Sequence, residues 1–157
     1  MSSLLFPFGT QYAPLPDFVP ASEFIGDMQR MRELGFTVVR GFAVWGALEP
    51  RPREYDWQVM DALFDAGART CIKITLSLAL GPPVWFLRGH AGEGVINWEG
   101  RQAWPRQRWR PCLHDPAYLQ AGEAFIRALV ARYRHAEALH SWISMNEPHV
   151  HYRDIVC

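Results

Sequence analysis

Residues 34–50, LGFTVVRGFAVWGALEP, decide the fold. Gly35 closes whatever helix precedes it, because glycine is the usual stop signal at a helix C-terminus. Phe36 to Phe42 (FTVVRGF) is then a continuous apolar, β-branched run. That pattern belongs to a strand covered on both faces, as in a parallel sheet, and not to a half-solvated one, which would alternate. Arg40 stands near the end of the run, and the exit carries Trp45, Glu49 and Pro50.

The same unit repeats outward in both directions. Upstream, the apolar run Leu4 to Phe8 leads into Gly9-Thr10-Gln11-Tyr12 and prolines at 14, 16 and 20, a strand leaving into a loop. Ser22 is the expected cap of a helix whose apolar positions are Phe24, Ile25, Met28, Met31 and Leu34. Downstream, Tyr55 and Trp57 introduce a helix with Val59, Met60, Leu63 and Phe64 on one face, ended by Gly67. Arg69 to Ser77 (RTCIKITLS) reads as a third strand, and a loop from Gly81-Pro82-Pro83 runs to about Pro116. A long helix over 117–133 follows. The fourth strand is expected over 141–145, with a start as early as 139, and Asn146-Glu147-Pro148 ends it. The order β-α-β-α-β-α-β predicts an α/β fold with parallel strands and right-handed crossovers.

Tyr12, Arg40, Trp45, Glu49, Ser77, Asn146 and Glu147 all fall at or just past the C-terminal ends of these expected strands. In a TIM (β/α)8 barrel that end carries the active site, and a complete barrel takes about 250 residues. Four strands use all 157 residues. The expectation is therefore a single segment, 1–157, forming the first half (about four βα units) of such a barrel, in a chain that looks truncated. No GxGxxG follows the first strand and no GxxxxGK[ST] occurs, so dinucleotide and P-loop folds are unsupported.

Composition removes other classes. Sixteen basic residues balance sixteen acidic ones, with 49% hydrophobic and 20% charged residues, which excludes a disordered tail. Zero net charge also counts against nucleic acid as a partner. The one local exception is Arg101 to Pro111 (RQAWPRQRWRP), with four arginines around Trp104 and Trp109; the preferred reading is an exposed excursion of the third βα loop. Cys71, Cys112 and Cys157 form no close-spaced pair, and His149 and His151 lack further ligands, so no metal and no cofactor is expected. No stretch approaches the roughly 20 apolar residues of a membrane span. The start, MSSLLFPFGTQ, has no basic leader region and reads as mature, cytoplasmic sequence.

Chemistry concentrates in Trp142-Ile143-Ser144-Met145-Asn146-Glu147-Pro148. Proline holds the residue before it extended, so Glu147 is expected to project from a strand tip. A partly desolvated carboxyl in such a place is suited to general-acid work, and Asn146 beside it to hydrogen-bonding a substrate hydroxyl. The bland alternative is a turn with a solvated glutamate.

An ordered set of residues runs through nearly the whole chain: Gly9-Thr10-Gln11-Tyr12 with Pro14, Leu34 to Arg40, Trp45 to Pro50, Tyr55-Asp56-Trp57 with Asp61, Pro82-Pro83-Val84-Trp85, and Trp142 to Pro148. This set resembles the N-terminal half of glycoside hydrolase family 42, the β-galactosidases. The resemblance implies a retaining glycosidase acting on a carbohydrate (β-galactoside) substrate, with oligomers of the full-length parent. It implies Glu147 as general acid/base, Asn146 as the partner of the sugar 2-hydroxyl, and Arg40 as the group that orients the nucleophile. Tyr12 joins the substrate-binding set, and Trp45 either lines the sugar pocket or packs a core. Glu49 matches a loop glutamate with a structural part. The family's nucleophile follows the seventh strand, so the isolated chain is expected to be inactive. Two other readings stay open: a mannanase- or glucanase-type clan member, and a half-barrel that binds carbohydrate without catalysis.

Overall fold

Four parallel strands line up in the order in which the chain makes them, β1 (Gly9–Gln11), β2 (Val38–Val44), β3 (Lys73–Ala79) and β4 (Leu139–Ile143). The computed structural model describes residues 7–12, 19–90 and 115–146. The helices are α1 (Phe24–Glu33), α2 (Trp45–Leu48), α3 (Gln58–Thr70), α4 (Val84–Gly89) and α5 (Pro116–Tyr133). The chain divides into two compact units. One comprises residues up to 43, 57–78 and 132–144; the other takes 44–56, 79–131 and the chain from 145.

The first unit contains the sheet. Gly9 pairs with Val38 and Gln11 with Arg40 in β1–β2; Thr75 pairs with Ser141 and Ser77 with Ile143 in β3–β4. Because strand side chains alternate faces, β2 sends Val39, Gly41 and Ala43 to one side, where all three are buried, and Val38, Arg40 and Phe42 to the other, where they are half-buried. The buried side is the helix side. A Cβ added at Gly41 would lie 3.0 Å from the Leu63 Cδ2 of α3. Ile74, Leu76 and Leu78 of β3 are buried alternately along their strand, and Leu63, Phe64, Met28 and Phe24 supply the helical half of the core.

Several expected boundaries move. Ser22 does not cap α1: residues Ala21–Glu23 form a single 3-10 turn, and neither it nor α1 has a side-chain cap. Helix α3 passes through Gly67 and ends at Thr70, with Cys71 in the left-handed conformation at φ 58°. Gly67 is there for close packing: a Cβ would meet the Ile72 carbonyl oxygen at 2.8 Å and the Ala138 Cβ at 3.0 Å. Strand β2 runs on to Val44, which places Arg40 at the third of its seven residues and not at its end. Helices α2 and α4 occupy stretches read as loop. The Arg101–Pro111 segment, His114, Cys112, and everything from Glu147 onward lie outside the described residues.

The last residues of α5 are tied to α3 by one carboxylate. Arg132 donates to Asp61 through Nε (2.9 Å) and Nη2 (2.6 Å), and the Tyr133 hydroxyl donates to the same carboxylate at 2.7 Å. Tyr133 also stacks on Phe64 at 4.5 Å and meets Trp57 edge-on. The Arg132 hydrogen bonds hold the Asp61 carboxyl below its ordinary pKa, with Tyr133 adding to them against the effect of burial. Burial, then the hydrogen bond to Asp61, pushes Tyr133 up; burial, then Asp27, does the same for Tyr12.

The two directions give a two-sided pH dependence. A lowered carboxyl stabilises above its unfolded pKa of about 4 and loses that contribution as pH falls through the folded value. A raised tyrosine stabilises below its unfolded pKa of about 10 and loses it as pH rises through the folded value. The thermal midpoint is therefore expected to be flat from about pH 5 to 9 and to fall on both sides. Asp61→Asn should flatten the acid limb by roughly 1 kcal/mol at most, since the pair is half-exposed and screened. A midpoint unchanged up to pH 11.5 would contradict the tyrosine part.

Candidate active site

The half-buried face of the sheet carries the polar residues of the first unit. Arg40 of β2 donates from Nε to the Oγ of Ser77 in β3 at 2.8 Å. Its Cζ lies 4.9 Å from the centroid of the Phe42 ring, two residues on and therefore on the same face. The guanidinium is held from one side by a hydroxyl and from another by an aromatic face, an arrangement that suits its planar, weakly hydrated charge. Ser77 is fully buried. One register step back, Thr75 and Ser141 bring their hydroxyl oxygens to 3.0 Å, and His140 Nδ1 reaches the Ser141 hydroxyl at 3.0 Å. The sheet thus presents a cation and a row of hydroxyls where a soluble core would place aliphatic side chains.

Tyr12 follows β1 but takes the other face. Its hydroxyl donates to Asp27 of α1 at 2.9 Å, and its ring meets Phe24 edge-on at 5.9 Å. Asp27 in turn accepts from Arg30. Tyr12 is thereby packed between strand and helix.

Trp45 opens α2, directly after β2, and is the centre of the second unit. It is fully buried, with Phe125 stacked at 5.8 Å and Tyr118 and Phe86 tilted against it at 5.8 and 6.1 Å. Its indole Nε1 donates to Glu49 Oε2 at 2.5 Å. The other Glu49 oxygen accepts the backbone N–H of Arg53 at 2.7 Å, and the Glu49 carbonyl accepts the Trp85 indole N–H at 2.9 Å. Glu49 is 2% exposed. Of the two readings of Trp45, the geometry gives core packing, with Glu49 as the polar partner that a buried indole requires. Gly46 packs closely beside it: a Cβ there would sit 3.3 Å from the Gly81 carbonyl oxygen.

Asn146 stands three residues past the last residue of β4 and is exposed. Glu147, the expected acid/base, lies outside the described residues. Of the residues singled out from sequence, the structure joins Arg40 to Ser77 and Trp45 to Glu49, and it separates Tyr12 onto the helix side. The Arg40–Ser77 pair was missed as a pair. Its signal was the Ser77 hydroxyl, two residues past Thr75 and so on the same face near the end of the third strand. Among the described residues no group of three His, Cys, Asp or Glu side chains could hold a metal ion. None of the described helices is long and apolar enough to cross a membrane.

Comparison with known proteins places these features. The family model of glycoside hydrolase family 42, described as beta-galactosidase, matches residues 13–157. The curated beta-galactosidase BgaA of a Thermus species is 29% identical over 134 residues, covering 84% of this chain and 21% of that protein. The crystal structure of the beta-galactosidase from the psychrophilic Marinomonas ef1 superposes with a TM-score of 0.79 at 26% identity, over 90% of this chain and 22% of the other. The exo-beta-1,4-mannosidase Op5Man5 of an Opitutaceae bacterium shares the fold at a TM-score of 0.66 and 24% identity, over 90% of this chain and 25% of the other. The four parallel strands with their helices are thus the first half of a TIM barrel. The chain spans about a fifth of the length of the relatives it matches.

Proposed function

The chain belongs to glycoside hydrolase family 42, the β-galactosidase family, and from that premise we propose that it is the N-terminal part of a retaining β-galactosidase barrel. The observation that carries the reading is the family match across residues 13–157, with Asn146-Glu147-Pro148 following the fourth strand. Retaining glycosidases use two carboxyl groups about 5–5.5 Å apart. Glu147 gives its proton to the glycosidic oxygen as the bond to the anomeric carbon breaks. A glutamate further along the parent chain bonds that carbon and forms the glycosyl-enzyme. Glu147, now a carboxylate, takes a proton from the water that displaces the enzyme carboxylate, and both groups return to their starting states.

Asn146 hydrogen-bonds the sugar 2-hydroxyl, and Arg40 orients the nucleophile carboxylate. Tyr12 fixes the exit of β1 on α1, and Trp45 packs within the second unit against Phe125 and Glu49. The substrate is a carbohydrate with a terminal β-D-galactosyl group. The 157 residues alone lack the nucleophile, so they bind at most and do not turn over.

A panel of aryl glycosides tests the substrate class in the full-length protein. A site that hydrogen-bonds a substrate hydroxyl can reject a sugar whose corresponding hydroxyl points elsewhere by about a hundredfold or more; glucose departs from galactose at C4, and mannose at both C2 and C4. The β-galactoside is expected to lead the β-mannoside and β-glucoside by that margin in kcat/KM. A maximum on the mannoside would move the chain to the mannanase type, and turnover by the isolated 157 residues would refute the need for a later nucleophile.

A further inference from the structure

We propose that Ser77 is a positioning residue for the glycosidase reaction, acting through Arg40: its hydroxyl fixes the Nε of the guanidinium and so the direction of the remaining N–H donors. This rests on the reading of Arg40 as part of the active site.

The argument begins with burial. Ser77 is fully buried on β3, between Leu76 and Leu78, which point to the helix side. A hydroxyl in such a place needs a partner, since an unsatisfied one costs about 1–3 kcal/mol. The partner here is a charged donor from the neighbouring strand, Arg40 Nε at 2.8 Å. Hydrogen bonds to charged groups are the stronger kind, about 1.5–3 kcal/mol.

Geometry supplies the second step. A guanidinium is a rigid planar fork, so its direction at Nε and the tilt of its plane together determine where all its other donors point. Ser77 sets the first through the hydrogen bond, and the Phe42 ring lies under Cζ at 4.9 Å.

The sheet then carries the constraint toward the chemistry. Ser77 pairs with Ile143 in β4, four residues before Glu147.

Removing the Ser77 hydroxyl should leave the fold in place and take from the guanidinium its fixed point at Nε. Misplacement of a catalytic constellation by about 1 Å can cost on the order of a hundredfold in rate. In the full-length protein, Ser77→Ala is expected to lower kcat on an aryl β-galactoside by about ten- to a hundredfold, with KM within about twofold. The split arises because the arginine serves the nucleophile and not the bound sugar. Ser77→Thr, which keeps the hydroxyl, should restore most of the rate. A purely packing role predicts the opposite order, since the added methyl disturbs a full core more than the lost oxygen does. If Ser77→Ala does not fold, Ser77→Cys carries the same comparison, with similar shape and a weak acceptor.

Arg40→Ala runs alongside to separate the two ideas. An inactive Arg40→Ala with a fully active Ser77→Ala overturns the positioning role alone. A fully active Arg40→Ala, or a wild-type protein without glycosidase activity, overturns the functional reading and the positioning role with it.

Discussion

Glu147→Gln in the full-length protein is expected to lower kcat/KM on a galactoside with a poor leaving group by about 10²–10⁴-fold, the usual worth of a positioned general acid. The loss should depend on the leaving group. An alkyl or sugar aglycone must be protonated as it departs, and glutamine has no proton to give. A strongly activated aryl aglycone leaves as its own anion, so the first step is then nearly intact. The second step still suffers, because no base takes the proton from water, and the glycosyl-enzyme should accumulate as a burst followed by slow turnover. Azide bypasses that step: it is already an anion and attacks the anomeric carbon without needing a base. Glu147→Ala with azide should therefore regain rate on the activated substrate and release β-galactosyl azide, with the β configuration retained through two displacements. An unchanged kcat/KM on the poor leaving group would remove Glu147 from the mechanism. Azide rescue giving the α-anomer would instead assign Glu147 as the nucleophile.

The architecture was legible because parallel strands announce themselves. Phe36 to Phe42 reads as one continuous buried run, and the four strands occur in the expected order. The family match then covers the residues that carried the resemblance from Pro14 onward, though not Gly9 to Tyr12. Boundaries were less legible for definable reasons. Gly67 reads as a helix stop, but its lack of a side chain serves contact with Ile72 and Ala138, and the helix continues past it. Ser22 has the chemistry of a cap but falls inside a 3-10 turn. The candidate site divides in the same way. Arg40 could be marked from its strand, because a charge in an apolar run needs a reason. That its Nε meets Ser77, 37 residues away, depends on strand register, which periodicity within one strand does not encode. Trp45 and Tyr12 were visible as aromatic residues at strand exits, but which face each would take was not. Tyr12 lies one residue beyond Gln11 and so points to the opposite side, toward α1.

Replacement of Glu49 is expected to have the largest effect on stability. The carboxylate is 2% exposed and accepts from two donors, the buried Trp45 indole at 2.5 Å and the backbone N–H of the exposed Arg53 at 2.7 Å. Arg53 stands at φ 63°, a left-handed conformation uncommon for a non-glycine residue. Glu49→Ala strands the buried indole N–H at about 1–3 kcal/mol, releases the Arg53 turn and leaves a hole beside Trp45. The sum is about 3–5 kcal/mol, comparable with breaking a buried pair by removing one partner. Glu49→Gln is the sharper probe. Its amide offers one acceptor oxygen and one NH2 group, so one of the two donors must face another donor. Trp45→Phe removes that conflict on one side by deleting the indole N–H while keeping an aromatic ring against Phe125 and Tyr118. The double variant Trp45→Phe/Glu49→Gln should therefore be more stable than the sum of its singles by at least about 1 kcal/mol, a coupling expected of groups in direct contact. Denaturant midpoints of the four proteins measure it. Additive singles, or a Glu49→Gln protein within about 0.5 kcal/mol of wild type, an effect typical of surface positions, would mean that Glu49 does not hold the exit of β2.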